Sequence, residues 1–119
     1  MPSNGLSFQH ASLAAITETG EETILSFENV YADGMLRAAE VKLLGVTEIL
    51  CDDNAIEKLE LLEDDGEVLE FAEEAGALSM TIAWVNFKDD TEATHSYRIA
   101  CRSIITTVGA ISPDSPMGN

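Results

Sequence analysis

The chain contains few basic residues. Its 119 residues include 22 acidic and 6 basic side chains, which gives a formal net charge of −16. A surface this negative repels nucleic-acid phosphates and anionic lipid head groups, and it attracts cations or basic proteins. We therefore predict that the protein binds neither nucleic acid nor membranes.

Long apolar runs and export signals are also missing. The hydrophobic fraction of 45% is ordinary for a globular protein, and no stretch approaches the roughly 20 apolar residues of a transmembrane helix. The first residues, MPSNGLSFQHAS, lack the basic start and apolar run of a secretory signal peptide. We expect a cytoplasmic protein in which Cys51 and Cys101 are small core residues rather than a disulfide.

Residue types needed for common catalytic and metal sites are scarce. A zinc site needs about four Cys or His ligands, or three and a water, whereas the chain has two of each with no closely spaced pair: Cys51, Cys101, His10 and His95. It has no glycine-flanked serine nucleophile and no P-loop, and its seven aromatic residues supply little of the cleft that a glycosidase needs. We predict a protein that is not an enzyme and has no metal and no cofactor.

Acidic residues are concentrated in the middle of the chain. Twelve of the 22 lie between Glu48 and Glu74, where Lys58 is the single basic residue. An EF-hand loop with Gly66 at its sixth position would place Leu61 and Ala72 at ligand positions 1 and 12, so no specific calcium site is expected. Such acidic residues can simply keep a small domain soluble or reflect a salt-rich habitat. The functional interpretation is a surface for a basic protein partner, formed by Glu60, Glu63, Asp64, Asp65, Glu67 and Glu70.

Turn-forming residues punctuate the chain at short intervals, as in TETGEE, YADG, CDDN and KDDT, which is typical of a protein built from strands. Apolar residues alternate with smaller or polar ones over 77–87, and again over 93–108, where His95, Tyr97, Ile99 and Cys101 share a face. We predict that these two segments pair as a hairpin across KDDT. Segments 8–17 and 22–30 are weaker strands joined at Gly20.

The stretch LLEDDGEVLE, residues 61–70, predicts a second hairpin. A three-residue loop at residues 64–66, with Gly66 in the left-handed conformation, would pair Leu61 with Leu69 and Leu59 with Phe71. These leucines and the phenylalanine would then face the core, while Glu60 and Glu70 would face outward.

We predict an all-β domain over residues 1–108, a small, mostly antiparallel barrel or sandwich of six to eight strands, meander-like from Ile56 to Val108. Residues 109–119, with two of the three prolines, are expected to be a disordered tail. The middle of the chain also suits helices, because apolar residues recur there at spacings of three and four. The alternative is therefore an α+β fold with a helix in 36–44 or 54–63.

Three functions fit this pattern. The first is a small non-catalytic interaction domain that binds a basic partner; bacterial toxin-neutralising proteins are one class that uses acidic faces in this way. The second is a barrel or sandwich that encloses a small apolar ligand, with Trp84 and Tyr97 near its mouth and Arg98 to grip an acidic group, unless Arg98 pairs with glutamates. The third is a self-associating structural subunit, or homo-oligomer, formed through an unpaired edge strand.

Overall fold

The computed structural model describes residues 6–32, 34–63 and 65–111. The predicted all-β class is confirmed, since these residues form strands and no helix. The strands are β1 Leu6–Ser7, β2 Ser12–Thr19, β3 Glu22–Ala32, β4 Met35–Leu44, β5 Glu48–Cys51, β6 Asn54–Ile56, β7 Asp65–Glu74, β8 Ala77–Asn86, β9 Thr91–Ala100 and β10 Ser103–Ile111. Their number, ten in the described ranges, exceeds the expected six to eight because β1 and β6 add two very short strands.

Nine strands form one antiparallel sheet in the order β10-β4-β3-β2-β7-β8-β9-β5-β6, and β1 pairs with the end of β3. The sheet is not closed, because β10 and β6 lie at its two ends. Strands β7, β8 and β9 form a meander, but β10 pairs with β4 in the other half of the sheet. The prediction that the meander continues to Val108 is therefore wrong.

The two halves of the sheet join where β2 meets β7. Ser12 pairs with Glu67, and beside this pair Val68 accepts a hydrogen bond from the backbone N–H of His10 (2.7 Å) and donates one to the carbonyl of Ala11 (2.8 Å). This junction is short, and the unclosed sheet fits either a sandwich or an open barrel.

Both halves of the sheet contribute to a single hydrophobic core. Leu25 and Val41 from β3 and β4 belong to the same buried cluster as Leu78, Ile82 and Ile99 from β8 and β9. Each is fully buried, and burial of such a side chain contributes about 1.5–3 kcal/mol. This shared core holds the two halves of the sheet together.

A cluster of three phenylalanines reinforces the junction. The ring of Phe8, between β1 and β2, stacks on Phe71 of β7 with centroids 4.2 Å apart, and it meets Phe27 of β3 edge-on at 5.1 Å. Aromatic pairs of this geometry contribute about 0.5–1.5 kcal/mol beyond their buried area. The cluster therefore links the segment before β2 to both halves of the sheet.

The predicted hairpin across KDDT is confirmed, and so is the prediction of two strands joined at Gly20. Strands β8 and β9 pair along their whole lengths, and β2 and β3 pair on either side of a two-residue turn that contains Gly20. The φ angle of Gly20 is 57°, a conformation that glycine adopts without steric cost. The predicted face of β9 is also correct, because Tyr97 and Ile99 are buried whereas Ser96 and Arg98 are exposed.

The helical alternative is wrong for both segments. Residues 36–44 lie in β4, which pairs with β3 on one side and β10 on the other, so two neighbouring strands satisfy its backbone. Its buried residues Ala39, Val41 and Leu43 alternate with Glu40 and Lys42, and this period of two determines the structure. Residues 54–56 pair with β5 as β6, and no helix forms between them and residue 63.

The predicted hairpin at LLEDDGEVLE is also wrong. Residues 59–63 form no strand, and β7 begins at Asp65 and pairs with β8, so that Gly66 lies opposite Trp84. Leu59 is buried as expected, but Leu61 is 44% exposed. Gly66 is needed for space rather than for a turn, since a Cβ atom there would lie 2.6 Å from Cζ3 of the Trp84 ring.

Most of the predicted tail lies outside the described residues, which end at residue 111. Residues 109–111 form the end of β10. Within the described part of the chain, we find no helix of the length and apolarity needed to cross a membrane.

Candidate functional site

Of the acidic residues predicted to bind a partner, those that the structure describes lie just before β7 and on β7 itself. Glu60 lies in the irregular segment before β7, 4.0 Å from Lys58, and Glu63 accepts a hydrogen bond from Asn86 Nδ2 at 2.7 Å. On β7, Asp65 is half-buried and Glu70 is exposed, while Glu67 lies 2.9 Å from His10 Nδ1. Asp64 lies outside the described residues. Three of these carboxylates therefore already contact another side chain of the same molecule: Glu60, Glu63 and Glu67.

A different set of glutamates surrounds a concave site, here called the acidic cleft. It is an open cleft of about 800 Å³ formed by the β2–β3 turn, the β4–β5 connection, the β7–β8 turn and the β9–β10 connection. Its carboxylates are those of Glu18, Glu21 and Glu22, around the β2–β3 turn, and Glu57, just after β6. Hairpin pairing of Thr19 with Glu22 brings the first three together.

The cleft combines negative charge with apolar lining residues. Its single basic residue is Arg102, whose Nη2 lies 3.9 Å from Glu21 Oε1 while both side chains are largely exposed. Four carboxylates against one guanidinium leave the cleft with a net negative charge. Val46 and Ile49 also line the cleft. Such a site can take the aliphatic stem of a lysine or arginine against these apolar side chains and the cationic head among its carboxylates.

The residues predicted to hold an apolar ligand are engaged with one another or with neighbouring strands. Trp84 and Tyr97 are buried, and Trp84 Nε1 donates a hydrogen bond to the Tyr97 hydroxyl at 2.9 Å. Burial raises the pKa of Tyr97 to about 12. Arg98 donates to Glu74 Oε1 at 2.7 Å and to Ser79 Oγ at 3.3 Å. The two aromatic side chains therefore belong to the core.

A second group of chemically versatile side chains lies where β5 ends beside β9. Cys51 and Asn54 pair across a two-residue turn in which Asp52 and Asp53 have φ angles of 53° and 70°. Positive φ at both central positions is typical of a type I′ hairpin turn, and Asp tolerates it better than most residues. The turn directs the Asp52 carboxylate toward β9, where Oδ2 lies 2.6 Å from Nδ1 of His95.

Further hydrogen bonds hold this turn against β9. The backbone N–H of Ser96 donates to Asp52 Oδ1 (2.8 Å), and the backbone N–H of Asp52 donates to the carbonyl of Ser96 (2.7 Å). The bond from Ser96, with the contact to His95, lowers the pKa of the Asp52 carboxyl. Asp52 therefore stays ionised over the physiological range.

Cys51 lies directly opposite Tyr97 in the β5–β9 pairing. Its side chain is half-buried and free, as is that of the buried Cys101. Burial, together with the negative charge of Asp52, raises the pKa of the Cys51 thiol, although a hydrogen bond with Tyr97 opposes the rise. A thiol kept neutral in this way is a poor nucleophile, which does not favour a catalytic role for Cys51 on its own.

Local sequence patterns could not have assembled either group. The signal for the acidic cleft is TETGEE, where three glutamates flank a hairpin glycine, but the contribution of Glu57 depends on the path taken after β6. The signal for the second group is the CDDN turn, yet His95 joins it only because β5 pairs with β9.

Comparisons with protein-family models, with curated proteins and with solved structures find no match to this chain.

Proposed function

We propose that the protein is a small, non-catalytic interaction domain that binds a basic protein partner in the acidic cleft. The observation that supports this most is the cleft itself, in which Glu18, Glu21, Glu22 and Glu57 converge on a concave surface with Arg102 as the one basic residue. Mutual repulsion of these carboxylates is relieved when a cationic side chain enters. Binding would therefore be strengthened by charge complementarity and weakened by salt.

The net charge of the whole molecule is consistent with this proposal. A net charge of −16 accelerates the encounter with a basic protein and disfavours acidic competitors. A toxin-neutralising protein is one example of a domain that would use such a cleft, because it must block a basic surface without chemistry of its own. A reducing compartment suits the free thiols of Cys51 and Cys101, so we place the protein in the cytoplasm as part of the same proposal.

The proposal is tested with two matched variants that each remove four negative charges. The first carries Glu18→Gln, Glu21→Gln, Glu22→Gln and Glu57→Gln in the cleft. The second carries Glu60→Gln, Glu63→Gln, Glu67→Gln and Glu70→Gln, which are outside it. An eight-residue peptide of lysine and arginine, titrated by fluorescence anisotropy at low ionic strength, serves as a defined probe of the basic partner.

We expect the cleft variant to lose affinity and the second variant to keep most of it. Exposed ion pairs contribute about 0.2–1 kcal/mol each, so four lost pairs weaken binding by about fourfold or more. Equal losses in the two variants would show that net charge alone, and not the cleft, attracts the peptide. Thermal unfolding of both variants checks that each is folded.

A second candidate is self-association through β10, which is supported by a separate observation. In the described part of the chain β10 has β4 as its one partner strand, and it exposes Ile105 (46%) and Val108 (41%). An edge strand with free backbone groups and exposed apolar residues can pair with a second copy of itself. Sedimentation should then give a dimer for the wild type and a monomer for Ile105→Lys; a monomeric wild type at high concentration would reject this candidate.

A further inference from the structure

Side chains of three different ligand types meet where β5 ends beside β9. One ligand atom each from Cys51, Asp52 and His95 lies within 4.8 Å of the other two. In the described ranges this is the one group of three or more His, Cys, Asp and Glu side chains close enough together to share an ion. The chain has only two cysteines and two histidines, and one of each is here.

We propose that Cys51, Asp52 and His95 bind a divalent transition-metal ion, with zinc as the best match to this ligand set. Zinc accepts thiolate, imidazole and carboxylate ligands, and three protein ligands with a water in the fourth position are a common arrangement. Cys51 and His95 are half-buried and Asp52 is exposed. The site is therefore reached from solvent, which leaves room for the water ligand.

Hydrogen bonds to the two anionic ligands support this assignment. The N–H of Ser96 donates to Asp52 Oδ1, while Oδ2 lies 2.6 Å from Nδ1 of His95, so an ion bound between these two atoms would take the place of the proton that they share. Carboxylate ligands in metal sites are commonly oriented by a second hydrogen bond of this kind. The turn therefore presents one defined carboxylate oxygen, backed by the β9 backbone.

The sulfur ligand is supported by a relay of two hydrogen bonds. An indole N–H can only donate, so the bond from Trp84 Nε1 to Tyr97 makes the tyrosine oxygen an acceptor. The hydroxyl hydrogen of Tyr97 is then free to point at its other partner, Cys51. Donation to the sulfur would orient this ligand, as hydrogen-bonding neighbours of metal ligands commonly do.

The charges at the site balance when a divalent cation binds. Cys51 and Asp52 are adjacent in the chain, and a thiolate beside a carboxylate is unfavourable without a positive charge between them. A divalent ion supplies that charge: it forms a bond to sulfur, and the thiol proton leaves to solvent. Counts of cysteine and histidine do not predict this site, because its third ligand is Asp52 and the β5–β9 pairing is what brings His95 to it.

The experiment uses the full chain, reduced and freed of metal with a chelator that is then removed. Cobalt(II) is added as a spectroscopic probe, because a thiolate bound to cobalt gives a near-ultraviolet charge-transfer absorption that carboxylates alone do not give. We expect this absorption to saturate at one cobalt per chain and to disappear when zinc is added. Its absence in the folded wild type at saturating cobalt would overturn the proposal without recourse to any variant.

Variants then assign the ligands. Cys51→Ser should abolish the absorption, and His95→Gln should weaken zinc binding by more than the 10- to 100-fold that loss of a hydrogen-bonding neighbour of a ligand costs. The matched controls are Cys101→Ser, at the other cysteine, and His10→Gln, which removes a histidine paired with Glu67; both should bind as the wild type does. Equal zinc affinity in Cys51→Ser and the wild type would mean that the acidic surface alone holds the ion, and would reject the site.

Discussion

The close contact between Gly66 and Trp84 allows the register of β7 to be tested by substitution of the glycine. A methyl group added at Gly66 would lie 2.6 and 2.9 Å from two carbon atoms of the Trp84 ring and 3.0 Å from Ile82 Cγ2. The ring has little freedom to move, because it is 2% exposed and its Nε1 is bonded to Tyr97. Gly66→Ala should therefore force a shift of well-packed core groups.

The size of the effect follows from comparison with a second glycine. Overpacking of a core typically costs about 1–3 kcal/mol. Gly109, also in a strand, offers a matched control, since a methyl group there would find its nearest neighbour, the carbonyl oxygen of Ala38, at an ordinary 3.5 Å. Both alanine variants restrict the unfolded chain equally. The difference between them should thus be about 1–3 kcal/mol, or roughly 3–15 °C in Tm for a domain of this size.

Thermal and urea unfolding, followed by the fluorescence of the single tryptophan and by circular dichroism, measure this difference. If Gly66→Ala were as stable as Gly109→Ala, the packing of Trp84 over β7 would be wrong. Gly66→Asn separates the two registers, because asparagine is tolerated in the left-handed conformation of a turn but not beneath a buried ring. A stable Gly66→Asn variant would restore the hairpin loop expected from the sequence.

Three further predictions concern stability. With a chelator present, the difference in Tm between the wild type and Asp52→Asn should be complete above about pH 4 and shrink as pH falls through the lowered pKa of Asp52; a difference unaffected by acid would reject the role of the charged form. In alkali, the wild type should lose stability from about pH 10 up to the Tyr97 pKa of about 12, because ionisation is resisted only in the folded state, and Tyr97→Phe should lack this loss. Leu59→Ala should cost about 2–5 kcal/mol because its side chain is 4% exposed, whereas Leu61→Ala should stay within about 0.5 kcal/mol; equal costs in chemical denaturation would contradict the placement of this segment.

The strands whose apolar and polar residues alternate were predictable from the sequence. In β8 and β9 the period of two assigns side chains to faces, and the short KDDT turn favours pairing of the two strands. The burial of Trp84 and Tyr97 follows from the same pattern, since both occupy the apolar parity of their strands.

Pairings between distant strands were not predictable, and both candidate sites depend on them. The residues before Gly66 are rich in leucine and alternate as in a strand, although they form none. Strand β7 pairs instead with β8, where the absence of a side chain at Gly66 leaves space for the Trp84 ring. His95 and Asp52 are 43 residues apart, and the acidic cleft draws on four separate connections. Local periodicity contains no information about such convergence.

The most direct test of the proposed function is an amide chemical-shift map of the isotope-labelled protein during titration with the lysine and arginine peptide. Binding in the acidic cleft predicts that the largest shifts fall on Gly20, Val46, Thr47 and Gly76, which line it, and that they diminish as salt is added. Shifts centred on residues 65–70 instead, or spread evenly over all exposed acidic residues, would contradict the assignment of partner binding to the cleft.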